Sequence, residues 1–332
     1  YRMTNSEPLV SVVMSVNKDD GNLYDSINSI LSQSYKNIEF LIVNDGSSKD
    51  VNQVLKKIKD KRIVFLEQKK IGLTACLNFA ISKSKGEYIA RQDAGDFSDK
   101  NRLFEQIKFL ENNPSISMCG TWVNEFSKEG EDLGVLSLPV SSHEIKKHIL
   151  FQNTFCHGSI VIEKKVLMRL KCYRGEFIRS QDYDLWLRVI EHYNVANLDK
   201  VLYSRTISDD SISFYNKNSQ GEYAKLARLC FEARQLTKEE PLHLIKKINY
   251  DGFKEYSLRK LKSNYNFYCG RRLYSNQRMR LARKYFLRSF ISNPISIKNI
   301  IYLILTFLPD SMRLALDKIW FRSKKKYQIN ID

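Results

Sequence analysis

The chain has 332 residues, enough for about two domains, and is 43% apolar and 27% charged. That mix excludes a disordered tail, a collagen-like fibre and a polytopic membrane protein. The 54 Lys and Arg against 37 Asp and Glu leave a net charge of +17, which draws polyanions such as nucleic acid, anionic lipid or phosphorylated substrates.

The opening Tyr1–Pro8 is polar and lacks the apolar stretch of a secretory signal, so none is expected. Leu9–Val16 is a β-rich apolar run, and Asn22–Gln33 places Leu23, Ile27, Ile30 and Leu31 on one helical face. A second strand, Ile38–Val43, ends at Asn44-Asp45-Gly46-Ser47. A polar helix near Lys49–Lys59, a strand at Ile63–Glu67, a helix after Gly72 and a strand at Glu87–Arg91 follow. Strands alternating with helices of about ten residues predict an α/β fold, a mainly parallel Rossmann-like sheet flanked by helices. Ligands bind beyond the carboxyl ends of such strands. That rim would carry Val16-Asn17-Lys18, Asn44-Asp45-Gly46-Ser47 and Gln92-Asp93-Ala94-Gly95-Asp96. Each cluster alone would pass as ordinary turn punctuation.

A helix is expected from Asp99 to Asn112, then strands at Ser117–Phe126 and Gly158–Ile162 and helices near His143–Phe151 and Tyr183–Glu191. From Ser219 the chain reads as helical and basic, a C-terminal helical appendage with a single helix-turn-helix element over Arg272–Pro294. This divides the chain into a domain over 8–218 and a helical region over 219–332. The six cysteines form no CxxC or CxxxC pair and read as reduced core thiols of a cytosolic protein. The longest apolar run, Ile300–Leu308, is nine residues, about half of the roughly 20 that cross a bilayer.

Two acidic clusters carry candidate chemistry. Asp93 and Asp96 follow a strand, where carboxylates can hold Mg²⁺ or Mn²⁺ and leave coordination sites for a diphosphate; they would equally serve as helix caps or loop polars. Asp182 opens a helical pattern whose apolar members include Leu185, Trp186, Val189 and Ile190. It reads either as an N-cap above a core tryptophan or as a general base at a pocket mouth.

In this order, Val10–Val16, Val43-Asn44-Asp45-Gly46-Ser47, Gly72-Leu73-Thr74-Ala75-Cys76-Leu77-Asn78, Tyr88–Asp96 and Gln181-Asp182-Tyr183-Asp184-Leu185-Trp186 resemble the inverting family 2 glycosyltransferases of GT-A fold, over about residues 8–214. The resemblance implies that Val16, Asn44 and Asp45, with Lys70 in the loop before Gly72, face the nucleotide of a sugar donor. It puts the DxD motif on Asp93-Ala94-Gly95-Asp96, with Gly95 where the family has its usual second Asp. A Mg²⁺ or Mn²⁺ would then rely on Asp93, Asp96, the diphosphate and water. The family's Glu-Asp pair falls on Gln181-Asp182, which implies that Asp182 is the catalytic base. His157 and Trp186 fall on the acceptor side, although His157 alone would also pass as a core histidine. Arg205, Ser211 and Ser213 fall where the family has a loop over the phosphates, with Ser208 at a position that is often His.

The activity implied is single displacement from a nucleotide-sugar, by default a UDP-sugar, to a glycan or lipid-linked oligosaccharide in bacterial surface polysaccharide synthesis. Apolar Ile295–Trp320, flanked by Lys298, Arg313, Lys318 and the Arg322–Lys326 cluster, suits an anionic membrane surface at the cytoplasmic face. A helical hairpin packed on the domain, or on a second copy in a homo-oligomer, fits the same residues. Nucleic acid is not an expected partner, since carboxylates at the strand ends would repel its backbone. A catalytically silent scaffold is the other alternative, suggested by Gly95. A nicotinamide oxidoreductase is disfavoured because no GxGxxG follows the first strand.

Overall fold

Strand β1 (Val10–Val16) is apolar and buried along nearly its whole length, as a parallel strand covered on both faces must be. The computed structural model describes residues 7–19, 21–46, 49–209, 217–246, 248, 257–309 and 311–313. β1 pairs in parallel with β2 (Ile38–Asp45) and β4 (Tyr88–Arg91), and β2 with β3 (Ile63–Gln68). Helices α1 (Leu23–Leu31), α2 (Lys49–Lys57) and α3 (Leu73–Lys83) make the crossovers. Because the strands run the same way, their carboxyl ends share one rim. Val16 lies beside Asn44, and Val13 beside Arg91.

Beyond β4 the sheet becomes mixed. β8 (Val161–Glu163) pairs antiparallel with β4 and with β6 (Ile116–Ser127); β9 (Asn194–Ile207) runs parallel to β6. β5 (Phe97–Ser98) closes the far edge on β9, and β7 (Asp132–Leu136) forms a hairpin with β6. The nine strands stand in the order β3-β2-β1-β4-β8-β6-β9-β5, with β7 on β6. The expected α/β layering is present, with its parallel part in the first hundred residues. The 14-residue β9 occupies a stretch to which the sequence pattern assigned no strand.

Alternation along β1 feeds two cores. Val13 joins Leu41, Cys76, Leu77 and Trp186 on one face, and Val12 joins Ile27, Phe40, Leu103 and Ile107 on the other. Helices α4 (Arg102–Asn112), α5 (Ser142–His148), α6 (Lys164–Arg169) and α7 (Gln181–His192) complete the layers. Each large apolar side chain so buried contributes ~1.5–3 kcal/mol. All six cysteines are free, and only Cys172 is partly exposed.

Helix α8 (Lys217–Gln235) inserts Tyr223, Leu226, Ala227 and Cys230 into the α7 core. Helices α9 (Leu258–Ser275), α10 (Met279–Ser292) and α11 (Ile297–Leu305) have a separate core of Tyr265, Cys269, Leu273, Ala282, Tyr285 and Phe286, reached by Leu133 of β7. α9 and α10 touch closely because Gly270 has no side chain. A Cβ there would lie 2.7 Å from the Phe286 ring.

The β6–β7 hairpin grips these helices through carboxylates. Glu129 accepts the hydroxyls of Tyr265 at 2.5 Å and Tyr285 at 3.0 Å. Glu125, fully buried, takes Arg272 at 2.5 Å and the Tyr268 hydroxyl at 2.8 Å. Among the described residues no helix is long and apolar enough to cross a membrane. Ser211, Ser213, Lys318 and Arg322–Lys326 lie outside the described residues.

Candidate active site

The four residues expected at the nucleotide gather in one corner of the rim. Val16 ends β1 beside Asn44, whose amide donates to Asn52 at 2.9 Å. The buried Asp45 carboxylate accepts the backbone N–H of Ile71 at 2.6 Å and of Gly72 at 3.1 Å, which fixes the start of α3. Lys70 is exposed in the loop between, its backbone close enough to Gly46 that a Cβ there would sit 2.8 Å from the Lys70 nitrogen.

Asp93–Asp96 is a tight turn. The Asp96 N–H donates to the Asp93 carbonyl at 3.2 Å, and Gly95 takes φ +87°, the left-handed value that a type II turn requires at its third residue. Glycine is therefore set by the backbone as well as missing a carboxylate. The Asp96 carboxyl turns inward, accepting the Tyr203 hydroxyl at 2.9 Å and the Thr206 N–H at 3.2 Å. Burial, with Asp93 adding to it, pushes its pKa up to about 8. Each Asp96 oxygen thus already accepts a hydrogen bond, which leaves this carboxyl more engaged than that of Asp93. Asp93 differs, with Oδ1 held by Arg91 at 2.5 Å and its side chain 39% exposed. Among the described residues no group of three or more His, Cys, Asp or Glu is poised to hold a metal; of the expected ligand pair, Asp93 is the less engaged by the protein.

Arg205 is committed elsewhere. It donates to Glu125 at 2.9 and 2.5 Å. Burial opposes its charge, but Glu125 more than offsets this and holds the guanidinium protonated. The expected phosphate-side arginine thus sits beside the Asp96 turn in an ion pair with Glu125, whose other oxygen takes Arg272 of α9.

His157 opens a single 3-10 turn before β8. Its Nε2 receives the Arg91 Nε–H at 3.2 Å and lies 2.8 Å from the Tyr173 hydroxyl. Burial and then Arg91 drive its pKa down to about 4, while Asp93 and Asp182 pull the other way. Both aspartates therefore lie within electrostatic range of one imidazole, from distant parts of the chain. Asp182 is half-buried in the first turn of α7, where the helix dipole favours an anion. Its Oδ2 accepts the Asn153 amide at 3.0 Å. Trp186 is wholly buried, with its ring edge-on to His157 at 6.0 Å. Expected to line the acceptor side, it instead backs the histidine, because one helical turn carries it from the rim into the core.

Sequence reasoning assigned no role to Arg91, Tyr173 or Tyr203. Arg91 is 1% exposed and also donates to the Val13 carbonyl at 2.6 Å. A cation ending an apolar strand was the available signal. Arg102 of α4 donates to the Arg91 and Gly158 carbonyls at 3.0 and 2.8 Å, joining the Asp93 and His157 segments from behind. Gly158 is forced by this crowding, since a Cβ would lie 2.0 Å from the Tyr203 hydroxyl and 3.0 Å from Asp93 Oδ2.

The family model described as Glycosyl transferase family 2 matches residues 11–171. Over 228 residues the chain is 35% identical to an uncharacterised glycosyltransferase of Methanocaldococcus jannaschii, covering 63% of this chain and 78% of that one. The chain belongs to glycosyltransferase family 2. This glycosyltransferase is also 28% identical over 221 residues to the UDP-Gal:alpha-D-GlcNAc-diphosphoundecaprenol beta-1,3-galactosyltransferase of Escherichia coli, covering 63% of one chain and 78% of the other. It superposes on S. aureus TarS residues 1–349, solved with UDP-GlcNAc, at TM-score 0.56 and 15% identity over 92% of each chain. The fold is GT-A.

Proposed function

We propose that this glycosyltransferase inverts the anomeric centre and moves a sugar from a UDP-sugar to a hydroxyl of a glycan or lipid-linked oligosaccharide in bacterial surface polysaccharide synthesis. The observation that carries the reading is that Arg91 joins Asp93, from the parallel half of the sheet, to His157, while Asp182, from α7 and held by Asn153, lies within electrostatic range of the same imidazole. Single displacement needs a leaving diphosphate on one side of the anomeric carbon and a base on the other. Asp182 is the base in this reading. Asn153 occupies Oδ2 and leaves Oδ1 to receive the acceptor hydroxyl's proton as the new C–O bond forms and the bond to UDP breaks. Val16, Asn44, Asp45 and Lys70 form the nucleotide corner. Asp93 would be the protein's ligand to a Mg²⁺ or Mn²⁺ shared with the diphosphate, and that ion would neutralise leaving-group charge. UDP as nucleotide is supported by the names of the galactosyltransferase and TarS matches.

The proposed workplace is the cytoplasmic face of an anionic membrane. Supporting this, α10 and α11 expose Ile291, Ile295 and Ile297 at 70, 89 and 71%, beside the exposed cations Arg288 and Lys298. Apolar side chains can enter the headgroup boundary while neighbouring cations meet anionic lipid.

The test is a thermal-shift screen of UDP, GDP, CMP and dTDP with and without Mn²⁺, followed by assay of nucleotide release from the matching sugar donors. UDP should raise the melting temperature, since a ligand of the native state alone stabilises it, and a UDP-sugar should release UDP. No shift with any nucleotide and no release from any donor would reject the reading.

A further inference from the structure

Of the two ring nitrogens of His157, the protein uses one. Nε2 faces the Arg91 Nε–H at 3.2 Å and the Tyr173 hydroxyl at 2.8 Å. A guanidinium N–H only donates, so Nε2 is an acceptor and the ring proton belongs on Nδ1. The ring is held from other sides too. Tyr173 and Trp186 stand edge-on to it at 5.6 and 6.0 Å, and Arg102 pins the next carbonyl, that of Gly158, at 2.8 Å. Nδ1–H meets no acceptor among the described residues, is not one of the buried orphan atoms, and belongs to a half-exposed ring.

We propose that His157 is a fixed hydrogen-bond donor rather than a base, holding through Nδ1–H a hydroxyl of one of the two sugars between Asp93 and Asp182. The inference rests on the glycosyl-transfer reading above. A neutral N–H matches a neutral hydroxyl, whereas a diphosphate calls for cationic partners. With its Nε2 lone pair already facing two donors, the imidazole is unsuited to receive a substrate proton there. That leaves proton removal to Asp182 and makes His157 a determinant of sugar orientation.

Two measurements test this. In the full chain, long-range ¹H–¹⁵N spectra of the five histidines, assigned with His157→Ala, should give His157 as the Nδ1–H tautomer at neutral pH. The Nε2–H tautomer would overturn the proposal. Second, an asparagine amide nitrogen superposes on Nδ1 and a glutamine amide nitrogen on Nε2. On whichever of UDP-glucose, UDP-galactose or UDP-GlcNAc the wild type turns over, His157→Asn should keep a kcat/KM about tenfold or more above that of His157→Gln, the scale of one hydrogen bond. Equal values, or the reverse order, in variants that keep the UDP-induced thermal shift would refute it. A KM change for donor or for acceptor identifies which sugar is held. A wild type inactive on every nucleotide-sugar would defeat the functional reading, whereas an Nε2–H tautomer in an active enzyme would defeat this proposal alone.

Discussion

Replacing Asp182 by asparagine removes one charge and almost no volume. The carboxylate is half-buried, accepts one hydrogen bond from Asn153 at 3.0 Å, and lies in the first turn of α7. Loss of its favourable interaction with the helix dipole costs about 0.3–1 kcal/mol, which lowers the melting temperature by only about 1–4 °C in a domain of this size. Loss of a positioned base lowers turnover by ~10²–10⁴-fold, equivalent to about 2.7–5.5 kcal/mol of barrier. The two effects separate cleanly in one assay series. UDP release is measured at saturating UDP-sugar and acceptor glycoside, with the UDP-induced thermal shift recorded in parallel. The expected variant binds UDP like the wild type and turns over at no more than about a hundredth of its rate. Turnover within about threefold of wild type, well short of that range, would remove Asp182 from the base role.

Asp93→Asn should abolish any Mn²⁺-dependent gain in UDP affinity while Asp96→Asn keeps it, as titration calorimetry would read; the opposite order would return Asp96 to the metal. Asp96 also predicts a pH dependence. Its folded pKa of about 8 exceeds the ordinary aspartate value of 3.8, so between these limits the unfolded chain has lost a proton that the native state keeps. Native stability therefore falls as pH rises through that window and levels off above it. The melting temperature of Asp96→Asn relative to wild type, both metal-free, should accordingly be higher at pH 8 than at pH 5; a constant difference would contradict this. Glu125→Ala removes the buried carboxylate shared by the partly exposed Arg205 and Arg272, which should cost about 1–3 kcal/mol and lower the melting temperature by a few degrees; an unchanged melt would show that the pair is unimportant to docking of α9. Finally, the full chain should sediment with vesicles containing anionic lipid more than with neutral ones, and Ile295→Glu combined with Ile297→Glu should weaken this at least about tenfold; equal binding to both vesicle types would reject the electrostatic part.

The amino-acid sequence determined whatever depends on local period and composition. Alternating strand and helix patterns before residue 100 produced the parallel β1–β4 part of the sheet, because buried strands there read as apolar runs of Val, Ile and Leu. Polar clusters after those runs marked the rim, since strands of one direction end on one side. β9 was hidden because Asn194–Ile207 alternates between partners and ends half-exposed, with polar Asn197, Asp199, Lys200, Ser204 and Arg205 breaking the apolar signal.

Only the tertiary structure decided which polar residues work together. Asp93 and Asp96 look equivalent in a string, yet the turn set by Gly95 pairs one with Arg91 and turns the other onto Tyr203 and Thr206. Arg205 reads as a free phosphate-binding cation until it is seen to pair with Glu125, a carboxylate it shares with Arg272. Arg91 and Tyr173 acquire a role only when the sheet and the loop before α7 bring both to the same nitrogen of His157. Burial, charge pairing and hydrogen-bond saturation belong to neighbours in space, and the chain order of residues does not encode those neighbours locally.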